Sequence, residues 1–301
     1  MTSTPRQPAS GARRDASRSG EFKFLTELAR ELSTGQVDMP CFPDIVIRVQ
    51  RALDDPRNTA ATLVKIVSAE PRLASRLLQI ANSAAYNPSG ASVTEIRAAI
   101  TRLGQQFIQS TVVSFAMREF TEAPKLRSYA KELKMLWRDS VTVAALCQVL
   151  AGLTKISPDE AFLTGLVHGI GSLYILTRAA HGEESFGEDV SWLSEIGSWR
   201  ASIGKAVLEN WGFGPGICEA VGEQSNAEYQ SRGGPDLTDI LICALLLAEI
   251  LKTPEPWTIT LGEVRSFRVI GLTAMDCSPL LLHARDKLND LYETLGFGIK
   301  V

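Results

Sequence analysis

The stretch Leu63-Val-Lys-Ile-Val-Ser-Ala-Glu-Pro-Arg-Leu-Ala-Ser-Arg-Leu-Leu-Gln-Ile-Ala-Asn-Ser-Ala-Ala-Tyr86 decides the fold. Leu63, Ile66 and Val67 return at intervals of three and four, which places them on one face of a helix. Pro71 opens a second helix at a position where its missing amide proton costs nothing, and Leu73, Leu77 and Ile80 extend the apolar stripe. Asn82 is placed to end that helix in a left-handed conformation. A short helix pair is expected here.

The same periodicity continues in both directions, and no sustained alternation of period two appears, so the chain is expected to be all-α. Thr94 can cap a helix carrying Ile96, Ile100 and Leu103, which Gly104 ends; Phe107, Ile108, Thr111 and Phe115 face the core of the next. After Pro124 a longer stripe runs through Leu126, Tyr129, Leu133, Leu136, Trp137, Val141 and Ala144 to a stop at Gly152. Ser157-Pro158-Asp159-Glu160 combines a capping serine, a proline at the first helical position and a glutamate at the third, and the helix it opens is expected to carry His168. Further helices follow from Ile203 to Trp211, closed by Gly212, from Ile217 to Val221, and from Asp236 to Ile250, with Ser278-Pro279 starting the last. Residues 182–189 and 229–234 read as loops, and two prolines forbid helix within 252–257.

Three segments are expected: a disordered basic tail over 1–20, an N-terminal helical lobe over 21–120, and a second helical lobe over 121–301. With 301 residues, 45% of them hydrophobic and 22% charged, the chain can bury a sizeable core. Its formal net charge of -3 supplies no basic field, so neither nucleic acid nor a membrane surface is an expected partner. Five cysteines without a Cys-x-x-Cys pair suit buried thiols in a reducing cytoplasm, not a zinc site or a disulfide framework. The N-terminus has no signal-like apolar region, and the longest apolar run, Ile240 to Leu251, is too short to span a bilayer; a cytoplasmic location is expected.

Common enzyme signatures fail. The chain has no glycine-rich phosphate loop with lysine and no Gly-x-Ser-x-Gly elbow, and His181 and His283 lack a neighbouring nucleophile. The third histidine stands in Gly165-Leu-Val-His168-Gly169-Ile-Gly171, where glycine follows it directly.

Leu63 to Tyr86, followed by Val93 to Gly104 (VTEIRAAITRLG), resembles the HD-related output domain, HDOD, of bacterial signalling proteins. That family pairs a helix of the form "I...DP.L..RLL..ANS..Y" with one of the form "SI..AI..LG"; here Glu70 stands where aspartate is usual. The resemblance covers residues 39 to 225 and implies a two-lobed, wholly helical fold, with an N-terminal cluster packed on a variant of the lobe found in HD phosphohydrolases. It also implies a role in signal transduction. In the parent superfamily four positions ligate a divalent metal. The resemblance puts Asp139 where the first histidine belongs, His168 and Gly169 at the histidine-aspartate dyad, and Glu249 at the distal aspartate. One of the four is retained, one is lengthened by a methylene, and two are changed in chemical type.

Glycine offers no oxygen to a metal, so no metal or other cofactor is expected, and the chain is not expected to be an enzyme. His168 is then a packed histidine bonded to a backbone carbonyl or to Asp139, while the carboxylates of Asp139 and Glu249 need cationic partners, for which Arg138 and Arg200 are at hand. Arg200 stands where related hydrolase-like chains often carry histidine, and its guanidinium can clamp a phosphate or carboxylate. The expected function is non-catalytic regulation through a protein partner. Two alternatives remain: a divergent phosphohydrolase or cyclic-dinucleotide phosphodiesterase using Asp139, His168 and Glu249, and a sensor that binds a nucleotide through Arg200 and the remnant cavity without cleaving it.

Overall fold

The computed structural model describes residues 26–34 except 28 and 32, 44–55, 57, 60–83, 86–87, 90–181, 196–252, 264–273 and 276–288 except 278, 286 and 287; among them are helices and turns but no strand. The tail over 1–20, the loop over 182–189, Cys41, Pro254, Pro256 and Ser278 lie outside the described residues.

Five helices build the N-terminal cluster: α1 (Ile45–Asp54), α2 (Ala60–Ser68), α3 (Pro71–Ala81), α4 (Ile96–Leu103) and α5 (Gln105–Thr121). Leu63, Val67, Leu73, Leu77 and Ile80 are all buried, so the stripe that marked the helix pair is the stripe that enters the core. Asn82 departs from expectation. Its backbone stays right-handed at φ -98°, and its side chain works instead: the amide donates to the Leu78 and Val93 carbonyls while Oδ1 accepts from the Val93 amide at 2.7 Å. It fastens the end of α3 to the strap leading into α4. Thr94 does not cap α4, since Glu95 holds that position without a side-chain bond, whereas Gly104 does adopt a positive φ of 82° between α4 and α5.

The chain then turns through a 3₁₀ segment (Pro124–Tyr129), not the α-helix expected there, into α6 (Ala130–Ala151). Seven more elements follow: α7 (Pro158–Val167), α8 (Ile170–His181), a 3₁₀ turn (Ile196–Trp199), α9 (Arg200–Asn210), α10 (Pro215–Glu223), α11 (Leu237–Lys252) and α12 (Arg265–Ile270). Ser157 caps α7 as its sequence implies, its hydroxyl accepting from the Glu160 amide at 3.4 Å.

Helix α7 is the hub. All residues from Ala161 to Val167 are buried, and the helix packs on α5 of the N-terminal cluster as well as on α6, α10 and α11. Two glycines permit this density. A Cβ on Gly165 would stand 2.6 Å from the Cα of Ala144 on α6, and one on Gly171 would stand 2.0 Å from the carbonyl oxygen of Arg200, where α8 crosses α9. The apolar run Pro158–Ala180 therefore outlasts Ile240 to Leu251 and is long and apolar enough to cross a bilayer, yet 83% of its hydrophobic window is buried in this body, as a core helix is. The buried side chains form one continuous cluster from Ile45 to Leu288. A further tie joins the start of the described chain to α8: Glu31 accepts from the Tyr174 hydroxyl and pairs with Arg178 at 2.5 Å, both on α8.

Candidate functional site

Helices α6 and α11 pack side by side and bring Asp139 and Glu249 to the same edge. What joins them is Lys252. Its ammonium donates to Asp139 Oδ2 at 3.0 Å and to Glu249 Oε1 at 2.9 Å, so neither Arg138 nor Arg200 is the cation that these carboxylates share. Lys252 lies three residues after Glu249 on one helix, a spacing that brings opposite charges together and that the sequence carries openly. Burial works against the lysine charge, but the two carboxylates more than offset it and hold the ammonium above its ordinary titration range.

His168 stands just past the end of α7, at the break before α8, not within the helix that Ser157 opens. Its Nδ1 lies 2.7 Å from the Gly165 carbonyl, and since a carbonyl only accepts, Nδ1 carries the proton. The His168 carbonyl accepts from Gln224 at 3.2 Å. Burial pushes the imidazole below its usual 6.5; the Gly165 bond and the charge of Asp139 pull upward, and Lys252 adds to the lowering. A neutral ring at pH 7 results, close enough to Asp139 and Lys252 to feel both charges.

At Gly169 an added Cβ would meet Leu136 Cδ1 at 2.7 Å and Ser140 Oγ at 3.4 Å, so a side chain here would run into the apolar face of α6. Arg200 opens α9 and is exposed, with its guanidinium folded beside Gly197. A cavity of about 490 Å³ lies between α6 and α11 and is lined by Met135, Arg138, Asp139, Leu251 and Lys252 among others, but not by His168, Glu249 or Arg200. Met135 and Leu251 on its rim are 58% and 42% exposed.

A hydrolytic metal needs several converging ligands and an open position for water. Among the described residues no three His, Cys, Asp or Glu side chains converge in that way. The carboxylates of Asp139 and Glu249 are already bound to an ammonium, and the Gly169 position offers Leu136 in place of an oxygen. The donor set does not fit a divalent ion.

The model of the HDOD domain matches residues 39–227. A candidate metal-dependent phosphohydrolase from Shewanella amazonensis SB2B superposes with a TM-score of 0.68 at 25% identity, over 92% of this chain and 99% of its own. An HDOD domain protein of unknown function from Geobacter sulfurreducens shares the fold with a TM-score of 0.59 at 20% identity, over 91% and 98% of the two chains. An uncharacterized protein of Treponema pallidum (strain Nichols) is 24% identical over 248 residues; the match takes in 77% of this chain and 46% of that relative, so the chain spans about half of its length.

Proposed function

The chain belongs to the HDOD family, and on that premise we propose that it is a non-catalytic regulatory module of bacterial signal transduction whose output is contact with a partner protein. The observation that carries this reading is the Lys252 ammonium seated between Asp139 and Glu249. A cation fixed to the chain at that point supplies the charge balance that a bound metal would give, but it can neither polarise a phosphate as a Lewis acid nor generate a hydroxide. Contact with a protein is supported by the rim beside it. Two exposed apolar side chains, Met135 and Leu251, sit among Arg138, Asp139 and Arg285, an apolar centre with a charged border of the kind that partners cover.

A reducing cytoplasm is part of the proposal. Cys147, Cys218, Cys243 and Cys277 are free and buried, and burial pushes all four thiols up, Cys218 to about 11, so none is poised for oxidation.

The test is elemental analysis of the purified full chain together with turnover of a chromogenic phosphodiester. The expected result is no stoichiometric metal and no turnover. One equivalent of iron or manganese that disappears in His168→Ala along with measurable hydrolysis would overturn the reading in favour of a phosphohydrolase. For the partner, affinity capture from the native cell should lose a specific protein when Leu251 is replaced by Glu.

A further inference from the structure

Along α6, Lys131, Lys134, Met135, Arg138 and Thr142 recur at intervals of three and four, so they share one face, and the first four of them are exposed. From Lys131 to Thr142 this face is about 16 Å long at the rise of a helix. Leu251 and Lys252 of α11 stand across the groove from it, with Arg285 beside them. The floor is apolar, since Ala248 and Leu288 lie buried at the bottom.

The cations along this edge exceed their partners. Asp139 and Glu249 are bound to Lys252, and Glu132 is the one other carboxylate on α6. Lys131, Lys134, Arg138 and Arg285 form no ion pair among the described residues. The whole chain carries a formal net charge of -3, so the basic border is a local exception and not part of a general positive field. Apolar residues spaced three and four apart on an incoming helix could enter beside Met135 and Leu251, while carboxylates on its flanks would meet the unpaired cations of the border. The cavity is sunk between two helices, a shape that receives a rod and that a flat bilayer surface does not fill.

We propose that the α6–α11 groove binds an acidic amphipathic helix of the partner protein, its apolar stripe against Met135 and Leu251 and its carboxylates against Lys134, Arg138 and Arg285. This rests on the regulatory reading above and names the chemistry of the partner which that reading requires. Charges on the border select partners chiefly by repelling the wrong ones, so a basic helix with the same apolar pattern should be rejected.

Two fluorescent peptides, added to the full chain and followed by anisotropy, test this. Each has about fifteen residues, long enough to hold a helix, with leucine at intervals of three and four; the other positions are mostly glutamate in one peptide and lysine in the other. The acidic peptide should bind, less tightly as salt is added, and the basic peptide should bind at least about tenfold more weakly. Lys134→Glu combined with Arg138→Glu should weaken the acidic peptide by about tenfold and admit the basic one, a reversal that damage to the fold cannot mimic. Arg97→Glu, on the exposed face of α4, shifts the net charge in the same sense and should leave both peptides unaffected. No binding of the acidic peptide, equal binding of the two, or a preference unmoved by the charge reversal overturns the proposal. So does binding of the chain to phosphatidylglycerol vesicles, or self-association that the charge reversal abolishes in sedimentation, since either gives the groove a different occupant. If the peptides fail while Leu251→Glu still loses a captured protein, the partner has another chemistry and the regulatory reading stands; stoichiometric metal with turnover removes that reading itself.

Discussion

Removing the Lys252 charge isolates what a single residue does at the α6–α11 edge. Lys252→Met leaves Asp139 and Glu249 side by side without their shared cation; because all three side chains are more than a third exposed, the loss should be about 1 kcal/mol or less and should shrink as salt is added, measured by urea denaturation at low and high ionic strength. His168 acts through pH. Its folded titration point lies below the ordinary 6.5, so between the two values the unfolded chain binds a proton that the native chain refuses. The stability it contributes is complete above about pH 6.5 and declines as pH falls toward the folded value. Measured across that window, the stability difference between wild type and His168→Asn should therefore narrow on acidification; a difference that is constant with pH would contradict the assignment. The chemical types of Asp139, His168 and Glu249 were legible in the sequence. The pairing of Lys252 with Glu249 was legible too, from their spacing on one helix, but its bond to Asp139 was not, because that depends on α6 and α11 being neighbours.

Helices that cross at glycine carry a different signature. Replacing a helical glycine by alanine ordinarily stabilises by about 1 kcal/mol through propensity alone. At Gly171 the new methyl would meet backbone, the Arg200 carbonyl, which cannot move without separating α8 from α9; at Gly165 it would meet the backbone of Ala144. Both substitutions should destabilise by about 1–3 kcal/mol or more, Gly171→Ala the more severely. Gly169→Ala meets only the far end of the Leu136 side chain, which can rotate, and should cost least of the three. Thermal unfolding of the three variants gives the order. Capping was legible where one residue decides it, as at Ser157. It misled at Asn82, whose side chain found a partner eleven residues away at Val93, a contact that no local rule contains. The crossing glycines were visible as letters, but their purpose depends on which helices meet.

At the scale of the whole molecule, the single core cluster and the hub position of α7 couple the N-terminal helices to the rest. Of the tryptophans among the described residues, Trp137 lies on α6, Trp199 in the 3₁₀ turn before α9 and Trp211 at the end of α9, so their fluorescence reports chiefly on the later helices, whereas far-ultraviolet dichroism reports on every helix. The two signals should trace one coincident urea transition; an early dichroic loss with fluorescence unchanged would mean that the N-terminal cluster unfolds by itself. The helical class followed from periodicity along the chain, and the pairing of α3 with α4 followed from the motif resemblance. The contact of Glu31 with α8 was beyond reach, since nothing local links residues so far apart in sequence. The lysine between the two carboxylates has one more consequence. A counterion made by the ribosome is present in every copy at a fixed ratio of one, does not exchange with the cellular pool, and cannot be stripped by a chelator. That corner of the protein should behave identically in a cell starved of iron and in one replete with it.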